Sequence, residues 1–232
     1  MASVIRVEDL HKTFTLHNQG GIQLPVLAGM NLVVNSGECI VIAGPSGSGK
    51  STLLRSLWGN YKPERGHVWV RHEEDWVDMV GGEPQRILGV RKRTMGYVSQ
   101  FLRVIPRVPA LDTLMETMRG NGYSPEIARA QAASLLLRMG IPERLWKISP
   151  TTFSGGEQQR INIARGFMRP YPILLLDEPT AALDGRNRQI VVELIQEAKA
   201  KGTAVIGIFH DREVRDAVAT RILEMPGNGG SQ

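Results

Sequence analysis

Cysteine is nearly absent from this chain of 232 residues: Cys39 stands alone, and aromatic residues make up only 6%. A lone cysteine excludes an internal disulfide, and no Cys/His group has the spacing of a zinc site, so the expected compartment is reducing and the expected location cytoplasmic. No apolar run approaches the roughly 18 residues of a membrane span. Met1 to Arg6 also lacks the basic lead and apolar stretch of a secretory leader. Work at a membrane would therefore require a separate spanning partner. Acidic residues are missing from one window: residues 85 to 111 contain no Asp or Glu but hold Arg86, Arg91, Lys92, Arg93, Arg103 and Arg107. These six cations exceed the net +5 of the whole chain, so the rest is close to neutral. The surplus is thus a local basic face, either merely solvated or shaped to dock an acidic protein surface, rather than a nucleic-acid footprint.

What remains is a composition that folds: 42% hydrophobic and 22% charged, within the size of a single domain. Residues 2 to 9 and 30 to 34 mix β-branched and polar residues as edge strands do, and Cys39 to Ala43 is a short apolar run suited to a buried strand. A glycine-rich turn follows, and Leu53, Leu54 and Leu57 predict a helix from Lys50 to about Tyr61. Residues 66 to 80 predict a further β excursion. In the middle third, Ser124 and Pro125 are N-cap and first-turn residues for a helix with Ala128, Ala132, Leu135, Leu136 and Met139 on one face, stopped by Gly140. Strands are expected again at Ile173 to Leu176 and Thr203 to Ile208, with a helix between them carrying Val191, Leu194, Ile195 and Ala198. The tail from Gly227 to Gln232 is flexible by composition.

Three stretches carry chemistry. Gly44-Pro45-Ser46-Gly47-Ser48-Gly49-Lys50-Ser51, followed by Thr52, fits the P-loop pattern. Its glycines let successive backbone N–H groups turn inward around phosphate, the following helix adds its positive end, Lys50 adds a point charge, and the Ser51 hydroxyl is a ligand for Mg²⁺. Ile173 to Leu176 runs into Asp177 and Glu178, and neighbouring side chains leaving a strand point apart. One carboxylate can then face a metal while the other faces an attacking water. Phe153-Ser154-Gly155-Gly156-Glu157-Gln158-Gln159-Arg160 opens a second helix, with Ser154 as its N-cap and a second candidate anion site.

The third stretch resembles the signature sequence of ATP-binding-cassette (ABC) ATPases, with Phe153 where that family usually has Leu. The family's remaining elements follow in order. Gln100 resembles the Q-loop glutamine that contacts Mg²⁺ and water while sensing a partner, Ala181-Ala182-Leu183-Asp184 the D-loop, and His210 the switch histidine. Phe14, in Lys12-Thr13-Phe14, resembles the adenine-stacking aromatic, usually Tyr. The resemblance implies an α/β P-loop NTPase fold of the ABC nucleotide-binding-domain type: a mainly parallel core sheet, an antiparallel β subdomain and a helical subdomain. A single domain would span 1–225, with core and β subdomain at about 1–98 and 170–225, a helical subdomain at about 101–169, and a tail at 226–232. It further implies ATP and Mg²⁺, catalytic roles for Glu178, His210, Gln100, Ser154, Gly156 and Asp184, metal contacts from Ser51, Gln100 and Asp177, and nucleotide contacts from Phe14 and Gly44 to Thr52. Because the signature loop acts in trans in that family, a head-to-tail pair is expected, either a homodimer or a pair with another cassette subunit.

Stretches outside the ATP motifs bear on the partner. Leu54 to Tyr61, Tyr97 to Arg107, Arg144 to Trp146, Asn162 to Phe167 and Gly207 to Asp211 resemble the cassette subunits of the bacterial carbon–phosphorus lyase system. That resemblance implies phosphonate use, with ATP hydrolysis supporting formation of ribose 1-phosphonate 5-triphosphate by a soluble enzyme core. The alternative is the nucleotide-binding subunit of a membrane ABC transporter, for phosphonate import or lipoprotein-type export. A DNA-repair cassette ATPase would need insertions that this length does not accommodate.

Overall fold

The computed structural model describes residues 2–16, 20–102 and 106–227. Arg103 and the tail beyond Gly227 lie outside them. Two sheets organise the described residues. In the first, β1 (Ser3–Leu16) pairs antiparallel with β2 (Ile22–Asn35) on one side and with β4 (Arg65–His72) on the other, and β5 (Asp75–Asp78) follows at the edge, giving the order β2-β1-β4-β5. The stretch expected as an edge strand at 2–9 is therefore an interior strand, longer than its apolar alternation suggested. Register shifts around Asp9 and His11 break the alternation along its second half.

The second sheet is parallel, in the order β6-β7-β8-β3-β9, from β3 (Cys39–Ala43), β6 (Met95–Val98), β7 (Ile173–Asp177), β8 (Ala204–Ile208) and β9 (Arg221–Glu224). Its central strands are apolar throughout because both faces are covered. The period of two divides them: Cys39 and Val41 face one layer with Leu174, Leu176 and Val205, while Ile40 and Ile42 face the other with Leu175 and Ile206. The first layer holds α3 (Ala110–Met115), α4 (Pro125–Arg138), α5 (Gly155–Gly166) and α6 (Gly185–Ala200); the second holds α1 (Lys50–Leu57) and the antiparallel sheet. Helix α7 (Arg212–Val218) precedes β9.

Helix α1 stops at Leu57 rather than near Tyr61. Gly59 takes φ 76°, and the N–H groups of Gly59 and Asn60 return to the carbonyls of Ser56 and Arg55, which closes the helix end. The basic window is a short helix, α2 (Pro84–Gly89), a π-helical turn at Val90–Thr94, and then β6. Three of its cations have partners, while Lys92 and Arg107 stand exposed. Arg86 pairs with Asp75 and Arg93 with Glu73, each at 3.1 Å, and Arg91 donates Nε to the Trp58 carbonyl at 2.9 Å. The neutralising carboxylates lie outside the window in sequence and beside it in space. No helix among the described residues is long and apolar enough to cross a membrane.

Candidate functional site

In a parallel sheet the loops at the carboxyl ends of the strands gather along one edge. Strand β3 leads there into the P-loop, β7 ends in Asp177, and Gln100 and His210 each come two residues after β6 and β8. Four sequence-separated motifs therefore meet because the strands are neighbours.

The P-loop turns back through left-handed glycines. A side chain at Gly49, φ 93°, would stand 2.7 Å from Val26 Cγ1, so this position excludes any Cβ. Lys50 Nζ donates to the carbonyls of Gly44 and Pro45 at 2.9 and 2.7 Å and so braces the loop. Ser48 Oγ is buried without a hydrogen-bond partner, and a Cβ placed on Gly47 would meet nothing within 4 Å. The loop thus carries one unpartnered hydroxyl and, over Gly47, open space, which together fit a phosphate.

The two carboxylates separate as their positions on the strand require. Asp177 is 2% exposed. Its Oδ1 accepts from Ser51 Oγ at 3.4 Å, its Oδ2 accepts from the Tyr97 phenol at 3.0 Å, and the Arg55 guanidinium stands 3.8 Å from Oδ2. Burial pushes the Asp177 carboxyl above its ordinary value, with the Tyr97 bond and the Arg55 charge pulling against it. Burial, helped by the Asp177 charge, pushes the Tyr97 phenol far above its ordinary value, so it remains a proton donor. Ser51 and Asp177 offer adjacent hard oxygen ligands, which suits Mg²⁺. Glu178 points elsewhere: Oε2 accepts from Gln100 Nε2 at 3.1 Å, and Oε1 lies 2.8 Å from His210 Nε2. Its backbone has φ 53°, a left-handed conformation rare for a residue with a side chain. His210 is the more exposed of that pair, 59% against 19%. Beyond it, Asp211 caps α7 through the Val214 N–H and pairs with Arg188, which also donates to the Leu183 carbonyl at 3.1 Å.

The signature residues do not join this group. Ser154 and Glu157 form a capping box: the Glu157 N–H donates to Ser154 Oγ at 3.3 Å and the Ser154 N–H to Glu157 Oε2 at 3.0 Å. The bonds from Ser154 hold the Glu157 carboxyl below its ordinary value. Ser154 and Gly155 are exposed and Gly156 half-buried. Asp184 caps α6 through the Asn187 N–H at 2.8 Å, which holds its carboxyl low. Phe14 sits edge-on to Tyr61 at 5.3 Å with Lys12 above its ring. Pro45, Ser46 and Thr52 follow the P-loop backbone and α1.

Four polar residues absent from the sequence-based site support it. Tyr97 and Arg55 hold Asp177. Gln159 donates to the Pro179 carbonyl and Asn162 to the Ser99 carbonyl, at 3.0 and 2.6 Å, tying α5 to the loops of Glu178 and Gln100. The available signal was two buried amides, i and i+3, interrupting an apolar helix face. Beside Gln100 opens a cleft of about 430 Å³, walled by Arg55, Trp58, Tyr97 and Phe101 and reaching Asp177.

The comparisons with known proteins agree with this geometry. A family model described as ABC transporter matches residues 27–181. The lipoprotein-releasing system ATP-binding protein LolD of Idiomarina loihiensis is 34% identical over 92% of this chain and 91% of its own length. The macrolide export ATP-binding/permease protein MacB of Syntrophobacter fumaroxidans is 35% identical over 96% of this chain, which spans 30% of that longer protein. Among solved structures, the dimeric post-hydrolysis state of the ATP-binding cassette MJ0796, bound to ADP and Pi, has a TM-score of 0.84 at 30% identity, covering 95% of this chain and 94% of that one. Sequence and structure converge over nearly the whole length, and the chain belongs to the ABC transporter family as an ATP-binding cassette.

Proposed function

We propose that this chain hydrolyses ATP as one member of a head-to-tail pair of cassettes and passes the resulting motion to a partner docked beside Gln100. The observation that carries the reading is the clamp on Glu178: Gln100 and His210 each hold one of its oxygens. A carboxylate so held is oriented to accept a proton from water as the water oxygen bonds to the terminal phosphorus of ATP. The bond from that phosphorus to the bridging oxygen breaks, giving ADP and phosphate, and the proton rests on Glu178. Lys50 and the P-loop N–H groups hold the phosphates. Ser51 and Asp177 would hold Mg²⁺, which supplies charge neutralisation between the phosphate oxygens. Ser154 and Gly156 of a second cassette would close over the nucleotide, their helix directing its positive end at phosphate. The dimeric form of MJ0796 supports that arrangement. Phosphate release by the purified protein, compared with Glu178→Gln, tests the hydrolytic part.

The names of the relatives, lipoprotein release and macrolide export, support a membrane permease as partner, which would hold the chain at the cytoplasmic membrane surface. A second reading rests on the resemblance noted in the sequence. Three stretches that resemble the carbon–phosphorus lyase cassette converge on the cleft beside Gln100: Arg55 to Tyr61, Tyr97 to Phe101, and Arg165. On that reading the partner docked in the cleft would be a soluble phosphonate-processing core. Affinity capture from the native host in MgATP separates the two. An integral membrane protein bound through the cleft supports export; soluble lyase subunits support the second reading.

A further inference from the structure

We infer that Tyr97 and Arg55 are positioning residues that dedicate one oxygen of Asp177 to the nucleotide's divalent cation. The two oxygens have different surroundings. Oδ1 lies beside the Ser51 hydroxyl, on the P-loop side, at 3.4 Å. Oδ2 is turned away from it, taking the Tyr97 phenol at 3.0 Å and facing Arg55 at 3.8 Å. Free rotation of a carboxylate would exchange the two; a donor and a cation fixed on one side prevent the exchange.

Both groups are themselves held. The Tyr97 ring stacks on Trp58 with centroids 5.4 Å apart and planes 24° apart, and Arg91 lies over the Trp58 ring while donating to the Trp58 carbonyl. Strand β6 carries Tyr97 opposite Leu175 on β7, two residues before Asp177, so the phenol reaches the strand end from the neighbouring strand. Arg55 comes from α1, one turn after Ser51, and its Nη1 donates to the Tyr61 hydroxyl at 3.1 Å. The two elements that flank the carboxylate therefore contribute one hydrogen-bond donor, Tyr97, and one cation, Arg55. The Tyr97 bond is not needed for packing, because a phenylalanine at 97 would keep the stack on Trp58 and lose only one oxygen.

This role rests on reading Asp177 as the metal carboxylate, and the experiment separates the two claims. ATP affinity is measured by calorimetry in Mg²⁺ and in EDTA, on Glu178→Gln protein so that no turnover intervenes. The result expected for added Tyr97→Phe is a rise of about tenfold in the Mg²⁺ concentration needed for half-maximal binding, the scale of one hydrogen bond to a charged group. Binding in EDTA and the melting temperature should stay unchanged. Arg55→Met should shift the same Mg²⁺ midpoint, with Arg55→Lys partly restoring it. An unchanged Mg²⁺ midpoint in both Tyr97→Phe and Arg55→Met overturns the positioning role. An equal loss with and without Mg²⁺ also overturns it, by showing a merely structural effect. ATP binding that ignores Mg²⁺ in the parent protein would instead sink the metal assignment itself.

Discussion

Glu178 and Ser154 are both well bonded, but to different kinds of partner. Glu178 is held by residues more than 30 positions away on two other loops, Gln100 and His210. Ser154 is held by Glu157, three positions along its own helix. One half of the site is completed by the tertiary fold, and the other is finished locally and left facing outward. Long-range bonds fix a catalytic group against the sheet; a capping box fixes only the start of a helix, which then presents its free face to something else. The contrast teaches that one set of motif residues is assembled by the tertiary fold, while the other is left as a separate outward-facing surface.

The sharpest way to break this contrast is at Glu178. Glu178→Gln keeps a hydrogen-bonding side chain but no base, so turnover should fall by about 10² to 10⁴ while ATP binding persists and dimers accumulate, read by phosphate release and light scattering. Unchanged turnover would end the assignment. Next comes mixing Lys50→Ala with Ser154→Arg protein. Each alone should be inactive, but a mixed head-to-tail pair restores one intact composite site, so activity should reappear on mixing. No recovery would remove the homodimeric form of that site.

A smaller effect tests the tie between the halves. Asn162 is 1% exposed and its bond to the Ser99 carbonyl joins α5 to the Gln100 loop. Asn162→Ala should cost about 1–3 kcal/mol of stability, because it strands a half-buried carbonyl, and should loosen the Gln100 loop in hydrogen exchange. Smallest is the local half: Ser154→Ala should cost about 1 kcal/mol in thermal unfolding. Its pH dependence has a definite sign. The Glu157 carboxyl lies below its ordinary value of 4.5 when folded. The capping box therefore contributes fully above that value, and its contribution disappears as pH falls through the depressed one. The melting-temperature gap between wild type and Ser154→Ala should close over that acid range; a gap constant with pH would refute the capping-box account.

Contiguous motifs were legible in the sequence because their chemistry is local. Gly44 to Ser51 has to be glycine-rich whatever surrounds it, and Asp177-Glu178 follow a run so apolar that the strand is unmistakable. Strand β6 was not legible: Met95 to Val98 is four residues after a run of cations, and its identity as a strand comes from pairing with β7. For the same reason the role of Tyr97 was invisible, since its phenol matters only once β6 lies beside Asp177. The basic window was legible as composition, but its pairing was not, because Glu73 and Asp75 reach Arg93 and Arg86 from the preceding strand and turn. The Asn162 and Gln159 ties could have been suspected from buried amides on an apolar helix face, but their receiving carbonyls belong to loops that only the fold brings near.

The left-handed backbone of Glu178 has one more consequence. Only glycine adopts φ near 53° without steric cost, and a residue with a Cβ gives up about 1 kcal/mol there. The position proposed for the base is thus one whose backbone would be more comfortable without a side chain. Replacement by glycine would relieve that backbone cost and at the same time give up the bonds to Gln100 and His210.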